Sequence, residues 1–347
     1  MSIEINWTAL TNWLRAQGLG TTIIDACPLT GGTQNRVLRL RVDDSTMVLR
    51  CPPLHPRPSS NRTMQREAAV LTTLASTGIP HPTLIATCDD LEVLGMAFYL
   101  MEEVDGFNPG EEVSDTYLAD GTIRHEAGLA IARALAALGE IDAAPTPMAQ
   151  YRRPGSFLSR QVDQWRSQLA SYSEQSGYPA HSLPHVDTTA EWLIANRPPD
   201  APSGIMHGDF HLNNVLLARH EPRVAAIVDW EMCTVGDPLL DLGWLLVCWP
   251  QDPAPVGTGA SLASAGGLPT RRELVDTYAA SSSRSVTAID WYAAMAGFKL
   301  GIVLEQTWVR SLVGKAPHEM GTQLHGNAVT LLDLSARITR GEWSVLD

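Results

Sequence analysis

Apolar residues recur along this chain with two periods, and the switch between them outlines the fold. Near the start, Trp7, Leu10, Trp13 and Leu14 share one face at helical spacing, and Gly18 is placed to end that helix. The period then falls to two. Residues 23–29 form an extended run, and over 36–42 Leu38, Leu40 and Val42 alternate with Arg39 and Arg41. Asp43-Asp44-Ser45 turns the chain into a third strand at 46–50. Four prolines within residues 52–58 exclude a helix there. Helical spacing returns at 61–76, with Met64, Ala68, Leu71 and Leu74 on one face and Gly78 as the stop. Strands at 83–88 and 96–101 then complete a predicted five-stranded sheet.

Beyond residue 105 the helical period dominates. Residues 122–141 carry a stripe of Ile123, Ala127, Ile131, Leu135 and Leu138, and 157–172 one of Leu158, Val162, Trp165, Leu169 and Tyr172. Further helices are expected at 189–196, 273–280 and 288–313, the last two closing the chain. Residues 252–268 have almost no charge and no period, and read as a loop. Glu305, Trp308 and Arg310 could face a substrate, although a core or surface place fits them better. This division predicts an α+β protein with a sheet-containing unit at 1–105 and a mainly helical one at 106–347.

Residues 205–246 interrupt the helical half. The apolar runs 215–218 and 224–228 flank Arg219-His220-Glu221-Pro222, as in a small hairpin. Asp209 and Asn214 precede its first strand and Asp229 follows its second, so pairing the strands brings two carboxylates and an amide together. Hard oxygen ligands of this kind suit Mg²⁺, which retains waters and is completed by substrate phosphates. The spacing, His207-Gly208-Asp209, Asn214 and then Asp229-Trp230-Glu231, parallels the catalytic pattern of protein kinases. With Gly after the His and Trp-Glu after the second Asp, the chain resembles the aminoglycoside phosphotransferase and choline kinase group of small-molecule kinases. The continuation Gly236-Asp237-Pro238 to Asp241-Leu242 looks most like the branch found fused to acyl-CoA dehydrogenases.

The resemblance implies a two-lobed kinase-like fold and transfer of a γ-phosphoryl group from ATP, with GTP possible, to a hydroxyl of a small molecule. Asp209 would take the hydroxyl proton, and Asn214 and Asp229 would hold Mg²⁺. His207 would brace the loop and Asp241 anchor it from the following helix. Gly31 and Gly32 would lie over the phosphates, while Val37 and Val48 would cover adenine. Arg50 stands where these kinases carry Lys, and would pair with Glu67 while reaching phosphate. Lys and Arg are not equivalent at such a site. The backbone of the connector beginning at Glu102, with Val104, would bond adenine. The bland alternative for Arg50 is a surface residue on an edge strand.

Other classes fit less well. A metallophosphoesterase would use Asp209-x-His211 and a second box at Gly236-Asp237, but Leu240 stands where that box needs Asp. A nucleotide-binding relic would be free to lose Asp209, Asn214 or Asp229, and all are present. The net charge of −13 argues against nucleic acid and anionic membranes as partners. Five scattered cysteines without a C-x-x-C pair, and an N-terminus without a signal-peptide pattern, predict a cytoplasmic setting.

Overall fold

The computed structural model describes residues 4–29, 35–175, 177–179, 182–251 and 259–347. Helix α1 (Trp7–Ala16) starts where the Asn6 side chain accepts from the Ala9 N–H, and it buries Leu10 and Leu14. Strands β1 (Ile23–Pro28), β2 (Arg36–Val42) and β3 (Ser45–Cys51) follow, then α2 (Ser60–Leu74), β4 (Leu84–Cys88), the short α3 (Leu91–Leu94) and β5 (Phe98–Met101). The strands form one antiparallel sheet in the order β1-β2-β3-β5-β4. Strand β3 is therefore central. Alternation splits its side chains: Met47, Leu49 and Cys51 join α1 in a small core on one face, whereas Val48 and Arg50 point to the other.

The rest of the chain comprises α4 (Asp115–Ala119), α5 (Gly121–Gly139), α6 (Gln161–Tyr172), α7 (Val186–Ala195), β6 (Gly204–Met206), β7 (Val215–Leu217), β8 (Val224–Ile227), β9 (Thr234–Gly236), α8 (Leu239–Cys248), α9 (Ala260–Ser264), α10 (Arg271–Ser281), α11 (Ile289–Leu312) and α12 (His318–Thr339). A larger core runs from α2 and Tyr99 through this helical part. Its centre is α8, buried along its whole length, as a helix apolar on every side must be. Gly243 lets α8 press onto α11, since a Cβ there would lie 2.5 Å from the Tyr292 carbonyl oxygen.

The structure corrects one expectation and adds elements that the periods did not predict, among them α3, α4 and α12. The predicted loop at 252–268 contains α9, while its part at 252–258 lies outside the described residues. The chain closes with α12, which had no counterpart in the predicted elements. Its apolar positions cluster at Ala328, Leu331, Leu332 and Ile338, leaving the first half without a stripe. The two-stranded pair of β6 and β9 has three residues in each strand, too few to show a period. Among the described residues, no helix is long and apolar enough to cross a membrane.

Candidate active site

The loop after β6 is fixed before any ligand arrives. The backbone N–H groups of His207 and Gly208 donate to the Asp241 carboxylate of α8 at 2.6 and 2.9 Å. The His207 Nε2–H donates to the Val228 carbonyl oxygen at 2.9 Å, which leaves Nδ1 to accept from the Asp209 N–H at 3.3 Å. Gly208 takes φ +87°, and a Cβ there would lie 2.3 Å from the Met232 carbonyl oxygen. Only glycine fits.

The Asn214 side-chain nitrogen donates to the Asp209 carbonyl oxygen at 2.8 Å and to its carboxylate at 3.2 Å. His211 Nε2 stands 3.4 Å from the other carboxylate oxygen. Burial works to raise the Asp209 pKa, but His211, His207 and Lys299 together outweigh it and lower it to about 2. Asp209 is thus held as an ionised acceptor.

Asp229 ends the hairpin of β7 and β8 in the left-handed region, at φ 63°. That conformation turns its carboxylate out of the strand direction toward the sheet. Arg50 meets it there, with a guanidinium nitrogen 2.5 Å from Oδ1. Arg50 Nε also lies 2.6 Å from Glu67 of α2, whose carboxylate accepts from the Tyr99 hydroxyl at 2.7 Å. Burial opposes the guanidinium's charge, but the facing Glu67 and Asp229 carboxylates keep its pKa well above the ordinary value. At 6% exposure on a central strand, Arg50 is not the surface arginine considered above.

A cleft of about 340 Å³ separates the sheet from the hairpin, lined by Val37, Val48, Arg50, Glu102, Val104, Asn214 and Asp229. The Glu102 N–H is spent on the Thr83 carbonyl oxygen at 2.9 Å, whereas no bond engages the Val104 N–H among the described residues. Gly31 and Gly32 lie outside the described residues. A larger hollow of about 850 Å³ between Glu140, Pro199 and Arg284 contains none of the predicted site residues.

Three contributors escaped the motif reading. Lys299 of α11 donates to the Gly208 carbonyl oxygen at 2.8 Å. Asn35 donates to the Glu231 carboxylate at 2.9 Å, and Arg66 donates to the Glu231 carbonyl oxygen. Burial first, then Asp229, pushes the Glu231 carboxyl up to about 7. A lysine in an otherwise apolar helical stripe was the available signal for the first.

Asn214 commits its amide nitrogen to Asp209 and keeps its oxygen as an acceptor, and Arg50 meets only Oδ1 of Asp229. Two oxygen donors facing a cleft fit a Mg²⁺ ion completed by phosphates. No cluster of three or more His, Cys, Asp or Glu side chains suited to a metal occurs among the described residues.

A five-stranded sheet over a helical body, with a cleft between them and this loop at its mouth, defines a kinase-like phosphotransferase fold. Residues 25–274 match the model of the phosphotransferase enzyme family, and the chain belongs to that family. It is 29% identical over 322 residues to acyl-CoA dehydrogenase family member 11 of Gallus gallus, covering 89% of this chain and 40% of that protein. With acyl-CoA dehydrogenase family member 10 of Mus musculus the identity is 28% over 293 residues, 82% of this chain and 26% of that one. The chain thus spans well under half the length of these relatives. Among solved structures, a candidate aminoglycoside phosphotransferase from Ralstonia eutropha aligns over 96% of this chain and 99% of its own, with a TM-score of 0.76 at 25% identity. The aminoglycoside phosphotransferase APH(4)-Ia, solved with AMP-PNP and hygromycin B, shares the fold at a TM-score of 0.60 and 15% identity, over 94% of this chain and 98% of that one.

Proposed function

We propose that this chain is a Mg²⁺-dependent kinase acting on a small hydroxylated molecule, with ATP as donor and GTP as an alternative. The observation that carries the reading is that Arg50, Asn214 and Asp229 line one cleft, with Asp209 held against Asn214, although they come from two lobes. Asp209 accepts the acceptor's hydroxyl proton as its oxygen attacks the γ-phosphorus. That P–O bond forms, the bond to the β-phosphate oxygen breaks, and the nucleoside diphosphate leaves. Asn214 and Asp229 would hold Mg²⁺, which neutralises phosphate charge. Arg50, fixed by Glu67, offers a planar guanidinium to phosphate oxygens. Val37 and Val48 give adenine an apolar wall, and the Glu102 carbonyl and Val104 N–H offer an acceptor and a donor to its edge.

The acceptor is an aminoglycoside-like or a hydroxyacyl compound. The first matches the printed names of the structural neighbours. The second is supported by the relatives' names, which join similar sequence to an acyl-CoA dehydrogenase. Five scattered cysteines, all present as thiols, support a reducing, cytoplasmic setting for the reaction.

The test is a nucleotide-consumption screen with Mg²⁺ across aminoglycosides, amino alcohols, sugars and hydroxyacyl compounds. One acceptor should raise turnover above the slow transfer to water, and Asp209→Asn should remove the gain. A wild-type protein that binds nucleotide and turns over nothing is a binding relic. Two equivalents of Mn, Fe or Zn in the purified protein, with phosphomonoester hydrolysis, would instead establish the phosphoesterase.

A further inference from the structure

Lys299 is 6% exposed in the middle of α11, and a lone ammonium buried that deeply costs several kcal/mol unless it is compensated. Its compensation lies on the loop that carries Asp209. The ammonium donates to the Gly208 carbonyl oxygen at 2.8 Å and sits 4.4 Å from the centre of the Trp244 ring and 5.6 Å from that of Trp165. The charged groups facing it are Asp209 from the loop and Asp241 from α8, while α6 presents the uncharged Trp165.

The Gly208 carbonyl belongs to the peptide whose nitrogen is that of Asp209. That peptide is therefore gripped at both ends, its oxygen by Lys299 and its N–H by His207. The grip matters because Gly208, at φ +87°, has no side chain to keep the peptide from turning over. The peptide before it is fixed independently through Asp241.

The geometry points to Lys299 as a positioning residue of phosphoryl transfer, which locks the Gly208–Asp209 peptide and supplies Asp209 with a fixed neighbouring cation. This rests on the kinase reading above. It makes α11, and not the catalytic loop alone, responsible for where the Asp209 carboxylate stands. Burial lowers the Lys299 pKa to about 8 against the pull of Asp241 and Asp209, so the charge is lost as pH rises through that value. An arginine would keep it.

The test uses the full chain with MgATP and water as acceptor, comparing wild type with Lys299→Arg, Lys299→Met and Asp209→Asn. Lys299→Met, similar in length but without a donor, should lower kcat by roughly a hundredfold, the cost of misplacing a reacting group by about 1 Å. Its MgATP Kd should match wild type, because Lys299 lines no part of the nucleotide cleft. Lys299→Arg should recover most of kcat. The wild-type rate should fall as pH rises through about 8, while that of Lys299→Arg stays level to higher pH. A folded Lys299→Met as fast as wild type, a Lys299→Arg as slow as Lys299→Met, or coincident alkaline limbs would each overturn the assignment. If Lys299→Met does not fold, Lys299→Gln takes its place, and the arginine pH profile decides by itself. Asp209→Asn separates the two levels: full turnover in that variant removes the kinase reading and this one with it. Failure confined to the Lys299 variants removes this inference alone.

Discussion

Arg50 has two carboxylates, one from each lobe, and exchanging it tests both contacts at once. Arg50→Lys keeps the charge but loses the fork, so its kcat/KM for nucleotide should fall between wild type and Arg50→Ala. Adding Glu67→Ala to Arg50→Ala should cost little more, because partners in one network are not additive. Full additivity in that double-mutant cycle would separate the pair. Asp209→Asn should cut turnover by at least ~10²-fold while leaving nucleotide affinity near wild type. Glu231 gives a pH signature. Its carboxyl is raised in the fold from the ordinary 4.5 to about 7, so the folded state holds the proton more tightly. Stability from this group is full below 4.5 and is lost as pH rises through 7. Urea unfolding of the metal-free protein at pH 5 and pH 8 should show that loss, and Glu231→Gln should shrink it. Residue positions such as Asp209, Asn214 and Asp229 were legible because local spacing around a hairpin sets where they meet. Lys299 was not, since its partner lies 91 positions away and no period announces the contact.

Among elements, the strands of the sheet and the helices α1, α2, α5 and α6 stood out in the sequence because each buries one face. Their periods record that. Helix α8 could not be placed that way, being buried on every side. The close approach of α8 and α11 is equally silent in any period, as it depends on the missing side chain of Gly243. Gly243→Ala pushes a methyl against the Tyr292 carbonyl, and overpacking of this kind costs about 1–3 kcal/mol. Since α8 carries Asp241 and α11 carries Lys299, the same change should lower kcat as well as the midpoint of thermal unfolding. Thermal melts paired with MgATP turnover would show both. A lowered midpoint with unchanged kcat would mean that the loop tolerates the shift. Gly208→Ala should be harsher for activity, because its methyl meets the Met232 backbone beside Asp209 itself.

On the scale of the whole molecule, the contact between Arg50 and Asp229 joins the sheet to the hairpin across the cleft. It also makes the protein its own competitor. A guanidinium rests against one oxygen of the carboxylate that would hold the metal in the proposed reading, so bare Mg²⁺ would approach a site already next to a cation and offer that cation nothing. A nucleotide changes the exchange by giving the released guanidinium phosphate oxygens to hold. In that reading metal and nucleotide affinities are linked, and each would strengthen the other by the same factor, typically 5- to 150-fold for such couplings. Calorimetry should find Mg²⁺ alone binding weakly and Mg²⁺ with a non-hydrolysable nucleotide binding well. Arg50→Ala should reverse the pattern, admitting bare Mg²⁺ more readily while erasing most of the mutual gain. A kinase built in this way would ignore the standing pool of free magnesium and assemble its charged centre only when the phosphate donor arrives.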